Sequence, residues 1–192
     1  MTAPDRPTVG TRVFDHRRVW ELTEPVFLFG ASVLAHAAMD RPGRVDAVIG
    51  IADGGVPLAT EIAGKLGVER FQIRARHNTS DAPYQPATGQ VMCDFTDLAD
   101  QLDGRRLGGM VHVVDDICGS GATFQAVTSG LASYLQPGAV VVTAALCRNT
   151  GASQPPHVWL WDVSDWVVFP WEQRAAGVLT TPLPAPSTVR SR

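Results

Sequence analysis

Hydrophobic and polar positions along the chain follow two periods, one typical of buried strands and one typical of helices. Short apolar, β-branched runs end in polar or glycine-rich turns, and helical stretches follow several of those turns. This repeated order of strand, turn and helix predicts an α/β fold with a parallel central sheet and flanking crossover helices. The predicted strands are 45–52, 70–76, 109–116 and 138–147, and the predicted helices are 23–38, 57–66 and about 122–135.

Other segments do not follow either period. Residues 77–92 are polar, contain two prolines and are long for a connection inside a compact domain, which favours a functional lid or a disordered stretch. The sequence after Gly151 is rich in tryptophan, and the final residues have the composition of a disordered tail. We therefore expect an N-terminal extension (1–22), a core (23–150), a tryptophan-rich C-terminal segment (151–180) that the extension could join, and a disordered tail (181–192).

Length, charge and cysteine usage limit the possible functions. The chain has 192 residues and a formal net charge of −3, enough for one full domain and without the basic excess that favours nucleic-acid binding. Its longest apolar stretch, 26–39, is too short to span a bilayer. Three widely spaced cysteines (Cys93, Cys118 and Cys147) fit neither a disulfide framework nor a zinc site. With no apolar core of a signal peptide near residue 1, these features favour a cytoplasmic protein without nucleic-acid or membrane partners.

The most informative segment is VVDDICGSGATF, residues 113–124. Asp115 and Asp116 come where a buried strand ends, and small residues that open the next helix follow them. Unpaired amides at a helix start bind anions, glycines let the backbone approach an anion closely, and paired carboxylates accept hydroxyl hydrogen bonds or hold a divalent cation. The pattern therefore predicts a site for a sugar phosphate. The alternative is a capped helix start with a surface carboxylate.

This segment resembles the phosphoribosyl-pyrophosphate motif of type I phosphoribosyltransferases, and the order of elements resembles that family from about residue 45 to residue 172. The resemblance implies a Rossmann-like sheet with a small C-terminal hood, and an enzyme that uses Mg²⁺ and 5-phosphoribosyl 1-pyrophosphate (PRPP). Asp115 and Asp116 would be catalytic, holding the ribose hydroxyls and the metal. The 5′-phosphate would be bound by Cys118, Gly119, Ser120, Gly121, Ala122 and Thr123.

The stretch GIADGGVPLA, residues 50–59, resembles the pyrophosphate loop of the same family. The resemblance implies that Ala52, Asp53, Gly54 and Gly55 would meet the leaving group, with a cis peptide between Ala52 and Asp53. Arg74 and Arg76 end the next predicted strand, where the family places a basic residue on pyrophosphate. Strand alternation puts both arginines on one face, and we assign this catalytic role to Arg76.

The stretch WDVSDWVVFPWE resembles the base-binding hood of the purine-type members of the family. The resemblance implies that the hood is the segment 151–180, which residues 1–22 could join. The resemblance implies that Trp166 stacks on the base and that Val167 contacts its edge through the backbone. Ile117 and Arg148 complete the implied base-binding set.

Two positions depart from the hypoxanthine–guanine enzymes. Gly119 stands where those enzymes have an aspartate near the base N7, and Arg148 stands where they have a lysine near the six-position oxygen. An ordinary 6-oxopurine salvage enzyme is one interpretation. A 7-deazaguanine derivative as the base, as in nucleoside-antibiotic biosynthesis, is another, because Gly119 makes room and Arg148 could hold a six-oxo group or a carboxylate.

The resemblance leaves a non-catalytic role open and implies an assembly. Some proteins of this fold sense PRPP without converting it, usually with an added DNA-binding domain or basic surface, and such a regulator is the alternative to an enzyme. Members of the family are often dimers or tetramers, so a homo-oligomer is expected.

Overall fold

The structure, a computed structural model, describes residues 12–76 and 91–192, so most of the predicted lid lies outside the described residues. Within the described ranges the chain forms ten β-strands and four α-helices. In chain order they are β1 (Val19–Glu21), α1 (Glu24–Met39), β2 (Val45–Ala52), α2 (Gly55–Leu66), β3 (Glu69–Arg76), β4 (Met92–Asp94), α3 (Thr96–Leu102), β5 (Met110–Cys118), α4 (Ala122–Leu131), β6 (Val140–Asn149), β7 (Val158–Val163), β8 (Trp166–Val168), β9 (Thr180–Pro182) and β10 (Arg190–Ser191).

Seven strands form the main sheet, in the order β10-β7-β6-β5-β2-β3-β4. The five inner strands are mutually parallel, and only the two edge strands, β4 and β10, run antiparallel to their neighbours. The parallel central sheet with flanking helices that the sequence predicts is therefore confirmed. β5 lies in the middle, which places its carboxyl end between the ends of β2 and β6.

Helices cover both faces of this sheet. α1 and α2 pack on one face, where Leu34, Leu58 and Ile62 are buried against Leu146 of β6. α3 and α4 cover the other face, over a separate cluster that includes Leu98 and Val127. Burial on both faces explains why β2 and β5 read as nearly continuous apolar runs instead of alternating ones.

A second, three-stranded sheet forms beside the main one, in the order β8-β1-β9. Its middle strand, β1, comes from the N-terminal extension and pairs in parallel with both neighbours, Val19 lying opposite Trp166 and Thr180. The segment predicted as a hood, 151–180, thus divides between the two sheets, because β7 pairs with β6 as part of the main sheet.

The C-terminal residues 181–192 differ from the disordered tail that their composition predicts. Leu183 is buried, and its backbone N–H donates to the carbonyl of Glu21. Trp161 Nε1 donates to the Pro184 carbonyl at 3.0 Å, and Arg190 pairs with Asp162 at 2.8 Å. The proline-rich composition does not predict these contacts, because each partner lies on a strand that is distant in the sequence.

Candidate active site

The acid pair lies at the carboxyl end of the central strand. Asp115 and Asp116 are both partly exposed, and the backbone N–H of Asp116 donates to Asp115 Oδ1 at 3.0 Å. Burial and the neighbouring Asp116 charge raise the pKa of Asp115 well above its usual range. Burial, and then the Glu172 carboxylate, raise the pKa of Asp116 to about 7. Two crowded carboxylates with raised pKa values are a site that a cation or several hydroxyl donors would stabilise.

The turn between β2 and α2 packs directly against this acid pair. The Ala52–Asp53 peptide bond is cis, as the family resemblance implies. A Cβ atom at Gly54 would overlap the Asp116 carboxylate, and one at Gly55 would overlap the Val114 carbonyl oxygen. At Gly55 the obstacle is backbone, so only glycine fits there, whereas a side chain at Gly54 would have to displace the Asp116 carboxylate. No side chain caps the start of α2 at Gly54. The Val56 amide donates to the Asp53 carbonyl at 3.3 Å and Pro57 has no N–H, so an anion at this helix start would be bound by the amides of Gly54 and Gly55.

The loop between β5 and α4 is a second helix start at the same edge of the sheet. Gly121 has a φ of +96°, a left-handed conformation that favours glycine, and a Cβ there would overlap the Gln154 carbonyl. Ser120 is buried, and its Oγ accepts a 3.3 Å hydrogen bond from the Ala122 amide. Cys118 Sγ donates to the Gln154 carbonyl at 3.7 Å. Residues 118–123 therefore form a backbone loop held from behind by residue 154.

The cysteine of this loop is not a reactive thiol. Burial raises the pKa of Cys118 to about 12, and the Asp115 charge acts in the same direction. A thiolate is therefore disfavoured at neutral pH. We expect Cys118 to contribute its backbone and its small size.

The two arginines at the end of β3 are both exposed. Arg74 lies opposite Ala52 in the sheet register, and its Nε pairs with Asp97 Oδ2 at 3.4 Å. Arg76 makes no ion pair with any of the described residues. Arg74, the arginine nearer the cis peptide, is thus paired with Asp97. Arg76, the last residue of β3, has no such partner among the described residues.

Arg148, predicted to contact the base, is held by other side chains. Its Nε lies 2.8 Å from Asp162 Oδ1, and its guanidinium carbon is 4.6 Å from the Trp159 ring centroid. Trp159 belongs to the core cluster on the α3/α4 face, whereas Val167 and Phe169 belong to the cluster on the other face. A base contact by Arg148 would have to share its charge with Asp162.

The strand β8 presents its residues to two different sides. Val167 is buried in the core, and Ile117 is partly buried against the same cluster. Trp166 and Val168 line a cavity of about 290 Å³, together with Val19, Glu172 and Arg174. This volume lies at the lower limit of ligand pockets, about 300 Å³, so the cavity suits only a small ligand beside Trp166.

Three residues near this site carried no signal in the sequence. Phe14 stacks on Trp166 with 6.4 Å between ring centroids, and the Arg12 guanidinium carbon lies 5.3 Å from the Trp166 centroid. Glu172 Oε2 accepts a hydrogen bond from the Phe169 amide at 2.9 Å. No local pattern connects residues 12 and 14 with residue 166, because only the fold brings them together.

The donor set suits Mg²⁺ only in combination with a substrate. No group of three or more histidine, cysteine, aspartate or glutamate side chains in the described ranges is arranged to hold a metal ion. Mg²⁺ often binds through one or two carboxylates while phosphate oxygens and waters complete its shell. Asp115 and Asp116 are oxygen ligands of this kind, so the residues fit a substrate-bound Mg²⁺. In the same described ranges no helix is long and apolar enough to cross a membrane.

Comparison with known proteins agrees with this arrangement. The sequence matches the family described as phosphoribosyl transferase domain over residues 23–176, and a search of curated proteins found no match. The fold is similar to a purine phosphoribosyltransferase from Pyrococcus horikoshii, with TM-score 0.63 and 21% identity over 83% of this chain and 97% of that chain. It is also similar to a xanthine–guanine–hypoxanthine phosphoribosyltransferase from Helicobacter pylori, with TM-score 0.63 and 20% identity over 81% of this chain and 93% of that chain. A third similar structure is a hypothetical protein from Neisseria gonorrhoeae with bound ppGpp, with TM-score 0.60 and 19% identity over 82% of this chain and 92% of that chain.

Proposed function

Because the chain belongs to the phosphoribosyltransferase family, we propose that it transfers the phosphoribosyl group of PRPP to a purine-type base and releases pyrophosphate. The observation that carries the proposal is the meeting of two glycine-lined helix starts at one acid pair. Gly54 packs on Asp116, and the 118–123 loop continues from the same strand. Two anion-binding turns separated by carboxylates suit a substrate with a phosphate at one end, a diol in the middle and pyrophosphate at the other end.

Each part of the donor then has its own group of residues. The amides of the 118–123 loop bind the 5′-phosphate, and Asp115 and Asp116 accept hydrogen bonds from the ribose hydroxyls. Residues 52–55 bind pyrophosphate through the backbone. Arg76 adds a positive charge there, and its lack of an ion pair with the described residues supports this assignment over Arg74.

The reaction needs positioning and charge neutralisation more than a nucleophilic side chain. A ring nitrogen of the base attacks C1′, the bond between C1′ and the pyrophosphate oxygen breaks, and pyrophosphate leaves with the electron pair. The ring nitrogen releases its proton to solvent. The transition state resembles an oxocarbenium ion, so fixed carboxylates beside the ribose and amides beside the leaving group lower its energy. Mg²⁺, held by Asp115 and Asp116 together with substrate oxygens, would neutralise charge on the leaving group.

The acceptor is a planar bicyclic base. The position of Trp166 in the lining of a cavity of about 290 Å³ supports stacking there. The names of two similar structures, both purine phosphoribosyltransferases, support a purine in this place. Within this class the base is a 6-oxopurine or a 7-deazaguanine derivative, and the role of the enzyme is accordingly salvage or nucleoside biosynthesis.

The proposal is tested by incubating the purified protein with PRPP, Mg²⁺ and a panel of guanine, hypoxanthine, xanthine and 7-deazaguanines. Mass spectrometry then detects new nucleoside monophosphates. We expect a product from at least one base and a loss of about 100-fold in kcat for Asp116→Asn, since its charge acts in the transition state. If PRPP binds and no base is converted, the protein is a sensor of PRPP and the proposal is wrong.

A further inference from the structure

A fixed segment of the N-terminal extension crosses the base side of the site. We call residues 12–17 the N-terminal strap. Asn149, fully buried at the end of β6, accepts a hydrogen bond from the Val13 amide and donates one to the Val13 carbonyl, both at 2.8 Å. Further along, the Asp15 amide donates to the Ser164 carbonyl at 2.7 Å, and Ser164 Oγ donates to Asp15 Oδ2 at 2.8 Å. The strap is therefore held at two points.

The strap brings a guanidinium to the stacking tryptophan. The Arg12 guanidinium carbon lies 5.0 Å from the Phe14 ring centroid and 5.3 Å from that of Trp166. Asp116, Cys147 and Glu172 are the ionisable groups that act on it electrostatically. The three groups link Arg12 to the acid pair, to the end of β6 and to the cavity beside Trp166. Since its guanidinium also lies over Trp166, Arg12 lies near both the acid pair and the proposed base site.

Gly119 lies beside the stem of Arg12. A Cβ atom at Gly119 would lie 3.6 Å from Arg12 Cδ, in ordinary van der Waals contact, so a longer side chain would meet the arginine stem. Where the hypoxanthine–guanine enzymes have an aspartate, this chain has no side chain at all. The atom nearest that position is instead the Arg12 Cδ methylene, so the side chain beside Gly119 is a cationic one from the strap.

One donor of this guanidinium is buried without an acceptor. Among residues 12–76 and 91–192, Arg12 Nε has no hydrogen-bond partner and Arg12 makes no ion pair with a carboxylate. A buried donor without a partner is costly, and an oxygen of a ligand at this place would remove the cost. An arginine that merely blocked the pocket would be expected to have its donors bound by Asp116 or Glu172.

We propose that Arg12 determines base specificity by donating hydrogen bonds to an anionic or carbonyl substituent on the base edge that faces Gly119. The inference rests on the proposed transferase function and names the chemistry of its acceptor. A carboxylate fits best, because Nε and a terminal nitrogen of a guanidinium can bind its two oxygens side by side. An unsubstituted purine offers only a single ring nitrogen at that edge.

The experiment compares 7-carboxy-7-deazaguanine with 7-deazaguanine and guanine, using kcat/KM with PRPP and calorimetric binding of each base. Arg12→Ala and Arg12→Lys are the test variants. Arg18→Ala is the matched control, because Arg18 lies 4.9 Å over Trp20 just beyond the strap. We expect wild type to prefer the carboxylated base about 10- to 100-fold, the range of a charge-assisted hydrogen bond. Arg12→Ala abolishes the preference, Arg12→Lys keeps part of it, and Arg18→Ala keeps all of it.

Three results would overturn the inference while leaving the transferase function intact. They are turnover of guanine with no preference for the carboxylated base, an unchanged preference in Arg12→Ala, and faster guanine turnover in Arg12→Ala, which would identify Arg12 as a plug. If no base is converted, the proposed function falls, and calorimetry still tests whether Arg12 selects a carboxylate.

A second variant protects the test against misfolding of Arg12→Ala. Gly119→Asp restores a carboxylate beside the Arg12 stem, and the two side chains should pair. We expect the preference for the carboxylated base to fall about as far as in Arg12→Ala, while the melting temperature stays near that of wild type. A preference that survives in Gly119→Asp contradicts the inference.

Discussion

The proposed phosphate side and the proposed base side of the site are built in different ways. On the phosphate side, Gly54, Gly55 and Gly121 bring the backbone so close to its neighbours that a Cβ would overlap them. On the proposed base side, the contacts are made by side chains from separate segments, with Arg12 lying over Trp166 and Arg148 lying over Trp159. Backbone packing of the first kind tolerates almost no substitution, whereas the second kind can change its chemistry one residue at a time. We therefore expect the phosphate side to carry the reaction common to the family and the base side to carry the specificity of this protein.

The strongest test of this comparison replaces a glycine on the phosphate side. Gly54→Ala places a Cβ on the Asp116 carboxylate, so the turn and the acid pair must separate. We expect kcat/KM for PRPP to fall more than about 100-fold, because small displacements in a pre-organised site have effects of that size. PRPP binding measured by calorimetry should weaken in parallel.

Gly64→Ala is the matched control, since a Cβ there meets nothing within 4 Å in the same helix, α2. It should leave activity unchanged and raise the stability of the protein by about 0.5–1 kcal/mol, as expected for alanine in a helix. Equal activity of the two variants would show that the turn at Gly54 does not bind the substrate.

On the base side, removal of the stacking ring should change a different kinetic constant. Trp166→Ala loses base stacking, which is worth about 1–3 kcal/mol, so KM for the base should rise about 10- to 100-fold. KM for PRPP should stay within about threefold, since Trp166 lies outside the phosphate loops. Trp166→Phe keeps an aromatic face and serves as the control. A rise in both KM values with Trp166→Ala would contradict the division into two sides.

A smaller effect is expected from Arg148. Because its guanidinium is engaged by Asp162 and Trp159, Arg148→Met should lower kcat/KM for the base less than about fivefold, since partly exposed ion pairs contribute little. Steady-state kinetics with each base measures this directly. A loss larger than that of Arg12→Ala would instead assign the base edge to Arg148.

The smallest expected effect comes from the C-terminal strand. Deletion of residues 188–192 removes β10 and the pair between Arg190 and Asp162. We expect a loss of about 1 kcal/mol, which is a melting temperature lower by roughly 2–4 °C for a chain of this size. Calorimetry measures the shift. An unchanged melting temperature would show that β10 adds nothing to the stability of the sheet.

The features that the sequence predicts are those encoded locally. The sheet and the proposed phosphate loops could be predicted, because each signal lies within a dozen residues: the apolar runs of β2, β5 and β6, and the glycines at 54, 55, 119 and 121. The position of Arg12 could not be predicted, because its neighbours Gly119 and Trp166 are close only in the folded chain. The disordered tail predicted for 181–192 differs from the structure for the same reason. Its composition is typical of disordered segments, whereas Leu183 is buried against residues distant in the sequence.

The central claim, that PRPP lies across the acid pair, is tested most directly by a crystal structure of the protein with PRPP and Mg²⁺. We predict the 5′-phosphate on the amides of residues 119–123, the ribose hydroxyls at Asp115 and Asp116, and pyrophosphate on the turn at residues 53–55. A 5′-phosphate bound elsewhere, or a ribose that contacts neither aspartate, would contradict the account.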